Sequence, residues 1–174
     1  MKLSQVLRSP SILPNNDDDG NGSWGIFLSS ADLEFAVKLF CNEQQFADEK
    51  AGYDKVLSDP NLMHLANPYQ EVSLLLDTDE YPLNCNNPPF ELALLMPFLA
   101  NPPWEKIGKL GTPTADTALA KFGVEINNLK NDFLRIGIAS WEVTFFIHSE
   151  SSVIKAIDFT FSELVFKCAE GGCR

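Results

Sequence analysis

The apolar positions of this chain change period along its length, and each change marks an expected element. Leu33, Ala36, Val37, Phe40 and Cys41 fall at i, i+3, i+4, i+7 and i+8, which predicts an amphipathic helix with one face turned inward. Ser29 and Ser30 stand where its cap belongs, and Asp32 and Glu34 occupy its first turn, where carboxylates favour the positive end of the dipole. The short apolar run Trp24 to Leu28 before it reads as a strand. A further helix is expected over Gln44 to Leu57, with Phe46, Tyr53, Val56 and Leu57 apolar and Gly52 weakening it. Residues 71–78, EVSLLLDT, read as a strand that ends in the acidic turn Asp77, Asp79, Glu80. Phe90 to Met96 follows the Pro88-Pro89 pair and predicts a short helix interrupted by Pro97, after which NPPWEKIGKLGTP, 101–113, reads as a long connection. Thr112 and Pro113 then open a helix with an Ala115, Ala118, Leu119, Phe122 stripe and Gly123 as its stop.

In the C-terminal third the period shortens to two. Trp141, Val143, Phe145 and Ile147 alternate with Ser140, Glu142 and Thr144, and Ile157, Phe159 and Phe161 alternate with Asp158, Thr160 and Ser162 across the loop Ser149 to Ser152. The pattern predicts a long antiparallel hairpin of half-buried strands. At Ser162-Glu163 the phase flips to Leu164 and Phe166, which a β-bulge would absorb. The expected fold class is α+β, an antiparallel sheet with a long C-terminal hairpin and helices packed on one face, within a single domain spanning residues 1–174.

Composition supports a folded chain. At 174 residues and 45% hydrophobic it is long enough to bury roughly 70% of its unfolded surface without metal or disulfide support. Thirteen phenylalanines and three tryptophans are more than a disordered acidic tail carries. MKLSQVLRSPSILPNN lacks an apolar run fit for a signal peptide, and no window approaches the length of a membrane span. Cys41, Cys85, Cys168 and Cys173 are irregularly spaced, which suits reduced thiols, although Cys168 and Cys173 flank Gly171-Gly172 closely enough to close a small loop if oxidised. These features read as a soluble, cytoplasmic protein.

Charge is distributed unevenly. Residues 15–95 hold fifteen carboxylates and three lysines, Lys38, Lys50 and Lys55, a net of −12 within a total of −11. Such a field repels nucleic acid and anionic membrane and attracts basic surfaces.

Motifs for chemistry are weak throughout. In NNDDDGNGS, Asn15, Asp17, Asp19 and Gly20 match positions 1, 3, 5 and 6 of a calcium loop, but Ile26 stands where the bidentate Glu belongs and Gly22 where an apolar residue does. The stretch reads as a solvated acidic turn. His64, His148 and the cysteines have no metal-ligand spacing, so no metal and no cofactor are expected. There is no G-x-S-x-G elbow and no H-E-x-x-H, and GKLGTPT, 108–114, lacks the phosphate-loop order. NPPF and NPPW, at 87–90 and 101–104, frame the apolar segment ELALLMPFLA.

The reading that follows is a small acidic binding protein, not an enzyme, that docks on a basic protein partner through Asp17, Asp18, Asp19, Asp77, Asp79 and Glu80. Small acidic one-domain proteins of this composition resemble bacterial immunity proteins that neutralise toxins and phage-encoded inhibitors that mimic nucleic acid, a likeness carried by no motif. Two alternatives stand beside it: a hydrolase combining carboxylates with His64 or His148 in a cleft, and a structural subunit with a large exposed apolar patch.

Overall fold

The apolar run Phe35–Leu39 forms a strand and not the helix its spacing predicts. Ala36, Val37, Lys38 and Leu39 are all buried, so both faces are covered. A short run buried on both sides has no alternation to announce it, and its apolar positions satisfy a helical template equally well.

The computed structural model describes residues 1–7, 26–29, 35–78, 89–99 and 102–169. The NNDDDGNGS turn, Trp24, the expected caps and first turn around Ser30 to Glu34, and the Asp79-Glu80 end of the acidic turn lie outside these residues. By contact density the chain forms two compact units, one of Met1–Ala47 with Pro68–Phe98 and one of Asp48–Asn67 with Leu99–Arg174.

The first unit holds α1 (Leu3–Leu7) and a four-stranded antiparallel sheet of β1 (Ile26–Ser29), β2 (Phe35–Leu39), β3 (Gln70–Ser73) and β4 (Leu92–Pro97), in the order β1-β2-β4-β3. The expected strand in 71–78 is therefore present but shorter. The helix expected over Phe90 to Met96 is β4, which pairs on both sides, Val37 with Leu95 and Glu71 with Leu94. Leu3, Val37, Leu39, Leu74 and Ala93 form a core cluster, and Phe46 stacks between Phe40 and Phe90 at centroid distances of 5.6 and 5.5 Å.

α2 (Glu43–Ser58) starts in this unit, where Asn42 Oδ1 accepts from Gln45 N, and continues into the second. The second unit adds β5 (Trp104–Lys109), α3 (Pro113–Lys121), α4 (Ile126–Arg135), β6 (Thr144–His148), β7 (Ile154–Ile157) and α5 (Glu163–Ala169), with a three-stranded antiparallel sheet in the order β5-β6-β7. β5 occupies what reads as a connection in sequence; its polar residues Glu105, Lys106 and Lys109 are exposed, as suits an edge strand. α3 matches expectation closely: Thr112 Oγ1 accepts from Ala115 N, Pro113 is the first helical residue, and Gly123 follows with φ +79°. The segment before Pro68 covers the outer edge of β7, since Ala156 N donates to Leu65 O and Asn67 N to Ala156 O.

The α+β class holds, with two antiparallel sheets among the described residues where one was expected. The β6–β7 hairpin has strands of five and four residues. β6 is not half-buried, because Thr144 and Phe146 are buried along with Phe145 and Ile147, while Trp141 lies outside the strand and is exposed. β7 ends where the second alternating run begins, at Asp158, whose φ of +67° leaves the extended region. The phase flip at Ser162-Glu163 is a helix start and not a bulge: Ser162 Oγ accepts from Val165 N, and Glu163 sits in the first turn of α5. α5 buries none of its residues and is held by Phe166, packed on Phe161, with the Lys55 ammonium over both rings at 4.5 and 5.1 Å.

The cysteines need a correction. Cys41 and Cys168 are both disulfide-bonded, and no cysteine among the described residues is a free thiol. Irregular spacing along the chain neither announces nor excludes a bridge.

Candidate docking surface

The two units differ sharply in charge. Residues of the first carry eleven carboxylates against Lys2, Arg8 and Lys38, a net of −8; those of the second carry thirteen against ten cations, a net of −3. Charges in the second unit neutralise one another locally. Lys50 pairs with Asp54, Lys130 with Asp116, Lys167 with Glu163, and Arg135 bridges Asp59 and Asp132 at 2.8 and 3.3 Å. Burial works against the Asp116 carboxylate, but the Lys130 ammonium and the Gly111 N–H outweigh it and hold its pKa below the ordinary value. Asp59, then Asp132, raises that of the Arg135 guanidinium.

Of the six expected docking residues, Asp77 lies among the described residues; Asp17, Asp18, Asp19, Asp79 and Glu80 lie outside them. Asp77 is exposed, yet its carboxylate already has a task. Oδ1 accepts from Ser4 N at 2.9 Å and Oδ2 from Ser4 Oγ at 2.7 Å. The Ser4 backbone bond, then its hydroxyl, hold the carboxyl below the ordinary aspartate value, with a smaller contribution from Lys2. Asp77 thereby fastens the N-terminal segment, whose Leu3 is fully buried and whose Met1 and Leu3 backbones bond to Ser73 and Leu75. Glu43, Glu71 and Glu91 are exposed carboxylates of the same unit that no sequence cluster singles out; Glu91 arrives next to β3 because its carbonyl accepts from Leu74 N.

A depressed carboxylate stabilises the fold at pH values above the unfolded pKa, and that stabilisation disappears as pH falls through the folded one. Asp77→Asn is therefore expected to lower the denaturant midpoint at neutral pH, with the two chains converging as pH falls through the lowered value of the folded carboxyl. Midpoints that differ by the same amount across the whole range would show that Asp77 acts by something other than its charge.

The His148 imidazole is engaged in local structure, whereas His64 is held through its backbone carbonyl. His148 Nδ1 accepts from backbone N–H groups, and the His64 carbonyl accepts from Lys155 Nζ at 2.9 Å. Lys155 Nζ also donates to Ala66 O, and burial pushes its pKa down. Among the described residues no group of three or more His, Cys, Asp or Glu side chains is placed to hold a metal ion. Exposed apolar residues include Leu75 and Leu76 beside Asp77, with Met1 bonded to Leu75 through its carbonyl, and the separate Met63, Trp141 and Leu164. No helix among the described residues is long and apolar enough to cross a membrane.

These elements define a two-unit α+β chain with an acidic first unit and an internally paired second one. No protein-family model, curated protein or solved structure matches the chain.

Proposed function

We propose that the chain is a binding protein, of the immunity or inhibitor kind, whose acidic first unit docks on a basic protein partner such as a toxin domain. The observation that carries this reading is the separation of charge: −8 of the total −11 belongs to the first unit. An excess of one sign steers an oppositely charged partner and speeds encounter, which suits capture of a harmful protein. Leu75 and Leu76, exposed beside Asp77, would supply apolar contact next to that charge.

Asp17, Asp18, Asp19, Asp79 and Glu80 are the residues to neutralise, with Asp77 retained because it also fastens Ser4. The full chain, immobilised at low salt, captures the partner from the source cell; association of that purified partner is then timed with both chains. The five-site amide variant is expected to associate roughly tenfold more slowly and with a flatter dependence on salt. Equal rates and equal salt slopes would eliminate the acidic docking surface.

We infer further that the protein acts where disulfides persist, since Cys41 and Cys168 are both bridged. Reduced thiols were one of the grounds for expecting a cytoplasmic location, and the bridges remove that ground. Peptide mapping of the protein from its source, alkylated before reduction, is expected to leave both cysteines unlabelled; labelling of both would restore the cytoplasmic reading.

A further inference from the structure

The tip of the β6–β7 hairpin is organised by one imidazole. His148 Nδ1 accepts from the backbone N–H of Glu150 and from that of Ser151, each at 3.3 Å. A ring nitrogen accepts only while it carries no proton, so this turn is built around the neutral imidazole with its hydrogen on Nε2. Trp104, the register partner of His148 on β5, packs edge-to-face against it with centroids 5.1 Å apart and planes at 85°. A frame of main-chain bonds surrounds the tip: His148 N to Val153 O at 2.9 Å, Ser152 N to His148 O at 2.9 Å, and Ser149 N to Pro103 O at 2.8 Å. Within that frame Ser152 is held at φ +56°, a conformation that a residue other than glycine adopts when its surroundings impose it.

We propose that His148 is a proton-operated latch on this turn. Protonation places an N–H on Nδ1, facing two other N–H groups, so both bonds are lost and the Glu150 and Ser151 amides turn to solvent. The frame bonds do not involve the imidazole, so the strands stay paired while the tip between Ser149 and Ser152 loosens. Glu150 lies in the turn itself. On the same face of the sheet, Lys106 and Lys155 are both register partners of Phe146, two residues away, and Lys155 is occupied by the carbonyls of His64 and Ala66. The latch uses no residue of the acidic docking surface, so the two readings stand or fall separately.

The experiment is a pH titration of the full, isotope-labelled chain by nuclear magnetic resonance. The Glu150 and Ser151 amide signals are expected to move in step with the His148 ring protons, and their exchange with solvent, relative to the intrinsic rate, to rise by about tenfold as pH falls through the histidine range. His148→Asn puts a fixed oxygen acceptor in the place of Nδ1 and is expected to keep both amides protected and insensitive to pH over that range. Amides that stay still while the imidazole titrates would overturn the latch, as would an imidazole that remains neutral until the chain unfolds in acid, or an identical amide response in the asparagine variant.

Discussion

Gly52→Ala is expected to cost about 3 kcal/mol, a fall of roughly 6–12 °C in Tm for a chain of this size. Alanine is the better helix former and in an exposed helix would gain up to about 1 kcal/mol. Here a Cβ would lie 1.6 Å from the Phe159 carbonyl oxygen and 2.5 Å from its carbon. Both are backbone atoms, so no rotamer relieves the clash, and α2 must move away from the segment around Phe159. That movement would strain the bonds from Phe161 N to Asp48 O and from Thr160 Oγ1 to the buried Glu49 carboxylate. Gly123→Ala is the control: its φ is +79°, but nothing lies within 4 Å of the added carbon, so about 1 kcal/mol of backbone strain is expected. Thermal melts of the two variants check the difference. A Gly52→Ala chain as stable as the native one would show that the close approach of α2 is absent.

Phe133→Ala is expected to destabilise by about 4 kcal/mol, through lost burial and the cavity left behind. The ring is fully buried on α4, with Phe145 of β6 at 6.4 Å and Phe159 at 6.0 Å, and Phe159 in turn meets Tyr53 edge-on at 4.9 Å. Removing it opens the middle of an aromatic row linking α2, α4 and the sheet. Denaturant unfolding measures the loss, and near-ultraviolet circular dichroism reports the disordered aromatics. A loss below about 1 kcal/mol would mean that the row closes over the gap.

Both predictions rest on tertiary contacts, and these were the hard part to read from the chain. Gly52 registers in sequence as a defect in a helix; only the position of the Phe159 carbonyl explains why no side chain is tolerated there. α4 was not read from the sequence at all: its apolar stripe, Ile126, Leu129 and Phe133, is short, and Glu125 offers no side-chain cap to announce it. The docking residues were legible as charge and illegible as structure. Asp77 looked like one of a solvated cluster, and its bond to Ser4, 73 positions away, makes it a fastening for the N-terminal segment.

What the amino-acid sequence determines by itself is local or additive. Net charge and its excess before residue 95 are sums over residues. α3 follows from Thr112, Pro113 and Gly123, because capping bonds and backbone preferences act within a few positions. Tertiary structure decided the rest. FAVKL and LALLMP are short apolar runs equally compatible with a helix or a doubly covered strand, and each became a strand because the other was there to pair with it. The division of charge between an acidic unit and an internally paired one likewise depends on which distant segments meet, and no period or spacing along a single chain encodes that.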